Sequence, residues 1–308
     1  MIDPAARALL DLIVQRGVPP THTLTPDEAR RAYLERRRFT QPAPPDVASV
    51  RDETSGPVAM RVYRPLGAAA GATLPALVYF HGGGWVIGDL DTHDTLCREL
   101  ANGAGVCVVA VDYRRAPDHR FPAAVDDCYA ATRWIVAQAA ALRIDPTRLA
   151  IGGDSAGGNL AAVVAIAARD AGDLPLAYQL LIYPATDQRA ASPSHTANGQ
   201  GYLLTSDSVA YFRAHYLERE EDWPDWRASP LLHEDLSRLP PALVLTAGFD
   251  PLRDEGAAYA DRLSAAGNRV AYVCFERQIH GFILMGKVLD EANAAVALCA
   301  SELKRALA

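Results

Sequence analysis

Short apolar runs recur along the chain and alternate with longer segments of helical periodicity. Eight runs are expected to be strands, near residues 47–54, 57–63, 76–80, 106–111, 149–152, 176–182, 242–247 and 270–275. Helical stretches follow most of them, and a last helix is expected over roughly 287–306. This alternation predicts a mostly parallel sheet with helices on both faces. The pattern therefore indicates an α/β fold with a central sheet of about eight strands.

Residues 1–45 show helical periodicity without a strand. One amphipathic helix is predicted to start at Asp3-Pro4 and to end at Gly17. A second starts at Thr25, where the Thr-x-x-Glu spacing of a capping box is combined with proline at the first helical position. Three prolines between residues 42 and 45 cannot continue that helix, because each removes a backbone donor. The sequence thus predicts two N-terminal helices and a linker ahead of the first strand.

The strand–helix alternation breaks between Pro184 and Pro230. This segment contains a predicted helix from Ser206, whose apolar residues fall on one face. Because the segment lies between two predicted core strands, it is expected to leave the sheet at the carboxyl edge. We therefore expect three parts: N-terminal cap helices (1–45), a catalytic core (46–184 and 231–308) and a cap insertion (185–230).

Gly153-Asp154-Ser155-Ala156-Gly157 has the G-x-S-x-G form of a nucleophile elbow. The buried strand before it and the apolar helix after it supply the context that such an elbow requires. A serine hydroxyl is a weak nucleophile at neutral pH and needs a neighbouring base to take its proton. The pattern predicts Ser155 as the nucleophile of an acyl-transfer reaction.

A glycine run at 82–84 directly follows the apolar strand 76–80. A loop without side chains exposes backbone N–H groups and lets a carbonyl oxygen approach them. Gly83 and Gly84 are the candidate oxyanion donors, together with Ala156 at the start of the helix after the nucleophile, where the N–H groups have no helical partner.

The catalytic acid has two candidates after the strand 242–247. Asp250 lies at the carboxyl end of that strand, where α/β active sites collect. Asp254 lies about one turn into the next helix, where a carboxylate usually complements the helix dipole. Asp250 is therefore favoured. His280 is the only histidine after it and is predicted to be the base that Asp250 orients.

The remaining histidines are given structural interpretations. His81 is expected to shape the glycine loop together with Gly82. His93 stands among aspartates, but helix capping by Asp91 or Thr92 is a more ordinary explanation than a metal site. None of the others has metal-ligand spacing, so no metal is expected.

The chain resembles the bacterial hormone-sensitive-lipase family of esterases, also called family IV, in the subfamily with aspartate before the nucleophile. The resemblance covers nearly the whole chain, and Arg115 and Asp118 are small departures from the family pattern. The matching segments are 81–85, 112–114, 116–119, 121–123, 152–159, 250–254 and 280–282. The resemblance implies an α/β-hydrolase fold with a helical cap and a carboxylesterase of short to medium acyl chains, without cofactor or metal.

Four apolar residues are candidates for the substrate pocket. Trp85 and Phe282 adjoin the predicted catalytic loops, and Leu204 and Phe212 belong to the predicted cap. Pockets of this kind are largely apolar. For the cap residues, ordinary packing explains the pattern equally well.

Composition narrows the other properties. A net charge of −7 argues against a nucleic-acid partner. Five scattered cysteines without C-x-x-C spacing suit a reducing compartment, and the first residues lack a secretion signal, so a cytoplasmic protein without membrane contact is expected. The expected partner is a small acyl ester, and the chain is expected to be a monomer or a homodimer.

Two other functions stay open at this point. An amidase or arylacetamide-type deacetylase would use the same residues on a different bond. A non-catalytic small-molecule-binding protein could share the fold, although His280 favours an enzyme.

Overall fold

The computed structural model describes residues 1–69 and 71–308. Eight strands within these ranges form one sheet in the order β1-β2-β4-β3-β5-β6-β7-β8. Strands β1, β2 and β4 pair antiparallel, and all pairings from β4 through β3 to β8 are parallel. The strands are β1 (Ser49–Ser55), β2 (Val58–Arg64), β3 (Leu74–Phe80), β4 (Cys107–Asp112), β5 (Ile144–Asp154), β6 (Leu176–Ile182), β7 (Ala242–Phe249) and β8 (Val270–Ile279). The predicted fold class is confirmed.

The helices cover both faces of the sheet. In the described residues they are α1 (Pro4–Gln15), α2 (Pro26–Thr40), α3 (Asp94–Ala104), α4 (Ala123–Ala137), α5 (Ala139–Leu142), α6 (Ala156–Ala171), α7 (Pro193–Ala197), α8 (Ser206–Tyr216), α9 (Arg253–Ala265) and α10 (Asp290–Ala306). Helices α1, α3 and α10 share one hydrophobic cluster, and α4, α6 and α9 share the other. The central strands are therefore apolar on both faces, as a buried parallel sheet requires.

The N-terminal helices begin where the sequence predicts. The Thr25 N–H donates to the Glu28 carboxylate at 2.9 Å, and the Glu28 N–H donates to the Thr25 hydroxyl at 3.4 Å, so the capping box is formed. Helix α2 then lies against the loop after β3, because the Arg30 guanidinium donates to the carbonyls of Val86 and Ala116, each at 2.9 Å.

The prediction that Asp91 or Thr92 caps helix α3 is wrong. His93 occupies the N-cap position, and its side chain makes no capping bond. Thr92 instead pairs with Asp89, each accepting a hydrogen bond from the other's backbone N–H at 2.8 Å. Because its side chain bonds within this local turn, Thr92 does not cap helix α3.

Between β6 and β7 the chain forms α7, α8 and two 3₁₀ turns. None of the helices in the described parts of the chain is long and apolar enough to cross a bilayer.

Candidate active site

Ser155 stands in the sharp turn between β5 and α6. Its φ is +56°, a left-handed conformation that L-residues rarely adopt. The Ser155 N–H donates to the carbonyl of Ile182 at 2.8 Å, which ties the turn to the end of β6. The neighbouring strand thus holds a strained backbone that lifts the serine hydroxyl off the end of the sheet.

His280 joins Ser155 to Asp250 across the ends of three strands. Its Nε2 lies 2.9 Å from the Ser155 Oγ, and its Nδ1 lies 2.6 Å from the Asp250 Oδ2. The other carboxylate oxygen of Asp250 accepts from the Leu252 N–H at 2.9 Å. An ionised carboxylate only accepts, so the imidazole donates from Nδ1 and leaves Nε2 free to accept the serine proton. This arrangement can remove a proton from the Ser155 hydroxyl.

Asp250 and His280 differ in how far they are buried. Asp250 is completely buried, and the His280 ring is 12% exposed. The carboxylate is therefore shielded from water, while the edge of the imidazole stays open to the site. A charge that forms on the ring is balanced at short range in a region of low dielectric.

Asp254, the alternative acid, faces elsewhere. Its Oδ2 accepts from the Ser194 N–H at 2.8 Å, and its Oδ1 accepts from the Arg253 guanidinium at 2.7 Å. The bond from Ser194 connects helix α9 to helix α7, and the bond from Arg253 lies within α9. Asp254 thus supports the segment after β6, and the structure brings Asp250 rather than Asp254 to His280.

The glycine loop follows β3 and turns back on itself. The N–H groups of Val86 and Ile87 both donate to the Gly83 carbonyl, at 3.1 and 2.9 Å. Gly83 and Gly84 have φ values of +122° and +57°, which glycine accommodates without strain. Ala156, at the first position of α6, is fully buried beside Ser155.

His81 is packed beneath this loop. Its ring stacks on Tyr113 with centroids 4.2 Å apart, and its Nδ1 lies 2.9 Å from the Gly82 carbonyl. The Tyr113 hydroxyl donates to the His81 carbonyl at 2.8 Å. Asp112 lies 3.7 Å from the other ring nitrogen. Burial opposes ionisation of Asp112, but the neighbouring His81 ring and the arginines Arg115 and Arg61 hold its pKa below the usual value.

The four pocket candidates occupy different depths. Phe212 and Leu204 are half-buried in the segment after β6. Trp85 is almost buried and stacks on Tyr216 with parallel rings 4.4 Å apart. Phe282 has no exposed surface and packs against Phe275, so it lies in the core behind the site.

Sequence reasoning missed several residues that support the site. Tyr183 packs against the His280 ring with centroids 4.7 Å apart. The Asn198 side-chain amide donates hydrogen bonds to the carbonyls of Gly248 and Asp250, each at 3.1 Å. These bonds tie the loop after β7 that carries Asp250, called the acid loop below, to the segment after β6. An asparagine after a short helix carries no local signal of this contact, because its partners lie about 50 residues away.

Two further buried histidines form pairs with carboxylates. His195 lies 2.6 Å from Glu255, a contact that its lack of metal-ligand spacing did not predict. Burial raises the pKa of Glu255, against the opposing effect of His195 and two backbone N–H groups. His93 lies 3.1 Å from Asp154.

The comparisons place this geometry in a family. A model of the α/β-hydrolase fold matches residues 77–284. The chain is similar to carboxylesterase NlhH of Mycobacterium tuberculosis, with 41% identity over 99% of this chain and 96% of that protein. It is also similar to an ethyl acetate hydrolase of Pseudomonas putida, with 43% identity over 99% of each. Among solved structures, the hyperthermophilic esterase from Pyrobaculum calidifontis superposes with a TM-score of 0.92 at 41% identity, covering 100% of this chain and 99% of that one. The chain belongs to the α/β-hydrolase family, in agreement with its resemblance to the bacterial hormone-sensitive-lipase esterases.

Proposed function

We propose that this protein is a carboxylesterase that hydrolyses short- to medium-chain acyl esters through an acyl-enzyme on Ser155. The observation that carries the proposal is the unbroken contact from Asp250 through His280 to Ser155, at 2.6 and 2.9 Å. The full-length similarity to carboxylesterases supports the same reaction class.

In the first half-reaction, the Ser155 Oγ attacks the ester carbonyl carbon while His280 Nε2 takes the hydroxyl proton. Asp250 stabilises the imidazolium that forms, without itself taking the proton. The carbonyl electron pair moves onto oxygen and gives a tetrahedral oxyanion. Collapse of this intermediate expels the alcohol, which receives the proton from His280 and leaves an acyl group on Ser155.

The oxyanion is assigned to the N–H groups of Gly83, Gly84 and Ala156. Ala156 lies at the N-terminus of the 16-residue helix α6, where the helix dipole favours negative charge. One oxyanion donor typically contributes roughly a hundred- to a thousandfold in turnover. His81 and Gly82 are assigned to the support of this loop.

In the second half-reaction, His280 takes a proton from water, whose oxygen attacks the acyl carbon. The second tetrahedral intermediate expels the Ser155 oxygen, which recovers its proton from His280. The carboxylic acid leaves, and the enzyme returns to its starting state.

Residues 1–45 and 185–230 are assigned to a cap over a core of 46–184 and 231–308. Two contacts support this division. Arg30 of α2 bonds the carbonyl of Val86, which follows the glycine loop, at 2.9 Å. Phe212 of α8 packs on Gly84 within that loop. Leu204, Phe212 and Trp85 are assigned to the walls of the pocket, and Phe282 to a supporting position behind them.

The test is the hydrolysis of p-nitrophenyl butyrate by wild type, Ser155→Ala and the control Ser301→Ala, which changes an exposed serine on α10. Ser155→Ala is expected to lose at least roughly 10⁴-fold in kcat, while Ser301→Ala matches wild type. Wild type should also trap one acyl group per chain on Ser155 in a quenched-flow experiment read by mass spectrometry. Turnover retained by a folded Ser155→Ala protein would refute the mechanism. Saturable binding without turnover by wild type would favour a binding protein.

A further inference from the structure

A buried polar cluster lies behind the glycine loop, outside the catalytic contacts described above. Its centre is Asp154, which precedes Ser155 in the chain and is almost completely buried. One carboxylate oxygen, Oδ1, is the meeting point of three groups. It lies 2.8 Å from the Tyr79 hydroxyl, 3.0 Å from the Gly82 nitrogen and 3.1 Å from the Nε2 of His93.

The Gly82 end of this cluster belongs to the glycine loop itself. The Asp154 carboxylate packs so closely on Gly82 that a Cβ at this position would overlap it. The assigned donors Gly83 and Gly84 follow one and two residues later, without any side chain to hold them. The position of Gly82 therefore sets where these N–H groups lie.

His93 holds the other side of the carboxylate. Its ring is buried, and its Nδ1 lies 2.9 Å from the Thr92 hydroxyl oxygen. That hydroxyl is itself fixed by donating to the Asp89 carbonyl at 2.8 Å. Because the Thr92 proton goes to Asp89, the His93 Nδ1 donates to Thr92, and the ring is oriented with Nε2 3.1 Å from the Asp154 Oδ1 and 3.3 Å from the Gly82 nitrogen.

The cluster keeps its carboxylate ionised. Burial opposes ionisation, but the charge and hydrogen bond of His93, with the bonds from Tyr79 and Gly82, hold the pKa of Asp154 below its usual value. A buried carboxylate that lost one of these partners would be left partly unsatisfied and would move to recover a donor. Gly82 would move with it, because its N–H and its Cα both contact the carboxylate.

We propose that His93 is a positioning residue for ester hydrolysis, which acts through Asp154 and Gly82 to hold the N–H groups of Gly83 and Gly84 at the oxyanion. This inference rests on the proposed function. It assigns to the N-cap histidine of α3 an effect on the transition state rather than on substrate binding. A displacement of about 1 Å in such donors can cost on the order of a hundredfold in rate.

The test compares His93→Leu with His93→Gln, in which an amide N–H replaces the imidazole Nε2 donor. With p-nitrophenyl butyrate, His93→Leu is expected to lower kcat roughly ten- to a hundredfold and to change KM by less than about threefold. His93→Gln is expected to recover most of the loss. Should the leucine variant not fold, His93→Asn replaces it, because its shorter amide cannot reach Asp154.

A second readout isolates the oxyanion. A trifluoromethyl ketone adds the Ser155 oxygen to its carbonyl carbon and forms a stable oxyanion that mimics the transition state. Its inhibition constant is expected to rise by the same factor by which kcat/KM falls in each His93 variant. Tyr63→Phe is the matched control, because it removes a partly buried hydrogen bond of 2.9 Å to Asp94, the residue after His93, without touching Asp154. It is expected to keep the kcat and the inhibition constant of wild type.

Three outcomes would overturn the inference: an unchanged kcat and inhibition constant in folded His93→Leu or His93→Asn, a glutamine variant as impaired as these, or a loss confined to KM. Failure of the proposed function is separate, because wild type itself would then lack Ser155-dependent turnover.

Discussion

The ring of Phe212 lies directly against the Cα of Gly84. A Cβ at Gly84 would overlap the ring, so the two residues pack without an intervening side chain. Phe212 belongs to α8 and Gly84 to the loop after β3. This contact brings the segment after β6 onto the backbone that is assigned to the oxyanion. We expect it to narrow the space available to substrate there.

The first prediction concerns acyl-chain length. With p-nitrophenyl esters from acetate to dodecanoate, kcat/KM is expected to fall beyond octanoate in wild type, because the Phe212 ring limits the room above Gly84. Phe212→Ala should raise the ratio of dodecanoate to butyrate activity about tenfold, since each buried methylene contributes about 0.8 kcal/mol. Robust cleavage of long-chain triglycerides by wild type would contradict this account of the pocket.

The second prediction separates the two aspartates. Asp250→Asn is expected to lower kcat roughly 10⁴-fold, because an amide N–H facing His280 Nδ1 favours the wrong imidazole tautomer. Asp254→Asn should keep kcat within about threefold of wild type, since Asp254 contacts Ser194 and Arg253 rather than His280. Steady-state kinetics on both purified variants checks this pair. Equal losses would mean that the acid is wrongly assigned.

The strands and the three residues of the Asp250–His280–Ser155 contact could be predicted because their signals are local. Strand β3 is a continuous apolar run, and Ser155 lies in a turn whose glycines are adjacent in sequence. Asp250 and His280 each follow a strand that ends at the same edge of a parallel sheet. Where strand order and edge are fixed by the fold, residues 125 positions apart in the chain come together.

The supporting contacts could not be predicted in this way. Three supporting residues acquire their partners only through tertiary packing: His93, Asn198 and Tyr183. Their neighbouring residues in sequence are those of an ordinary helix start, loop or strand end, so no local pattern marks them as part of the site. Phe282 illustrates the opposite case. Its position beside His280 suggests a pocket wall, but its side chain turns into the core against Phe275.

The third prediction tests the support of the acid loop. Asn198→Ala removes both donors to the Gly248 and Asp250 carbonyls and leaves them buried without these partners. We expect a loss of about 1–3 kcal/mol in the free energy of unfolding, together with a lower kcat, because the Asp250 loop loses its anchor. Denaturant unfolding and steady-state kinetics measure the two effects.

Asn268→Ala is the matched control for that variant. Asn268 also donates to two backbone carbonyls, those of Leu236 and Leu263, at 2.6 and 2.8 Å, but it lies after α9 and away from the acid. It should lose stability with kcat unchanged. If both variants lower kcat equally, general loosening of the fold rather than the Asp250 loop explains the effect.

The last prediction concerns the pH dependence of stability. Burial raises the pKa of Glu99 on helix α3 from the ordinary 4.5 to about 6. An acid whose folded-state pKa is raised favours the folded state while it is protonated, so this contribution is complete below pH 4.5 and is lost as pH rises through 6. Glu99→Gln stays uncharged throughout. Its Tm should therefore match that of wild type near pH 4.5 and exceed it at pH 8, whereas Glu218→Gln, at an exposed site, should show no such pH-dependent gain. If Glu99→Gln and wild type have the same Tm at pH 8, ionisation of Glu99 costs the folded protein no stability, and the prediction is wrong.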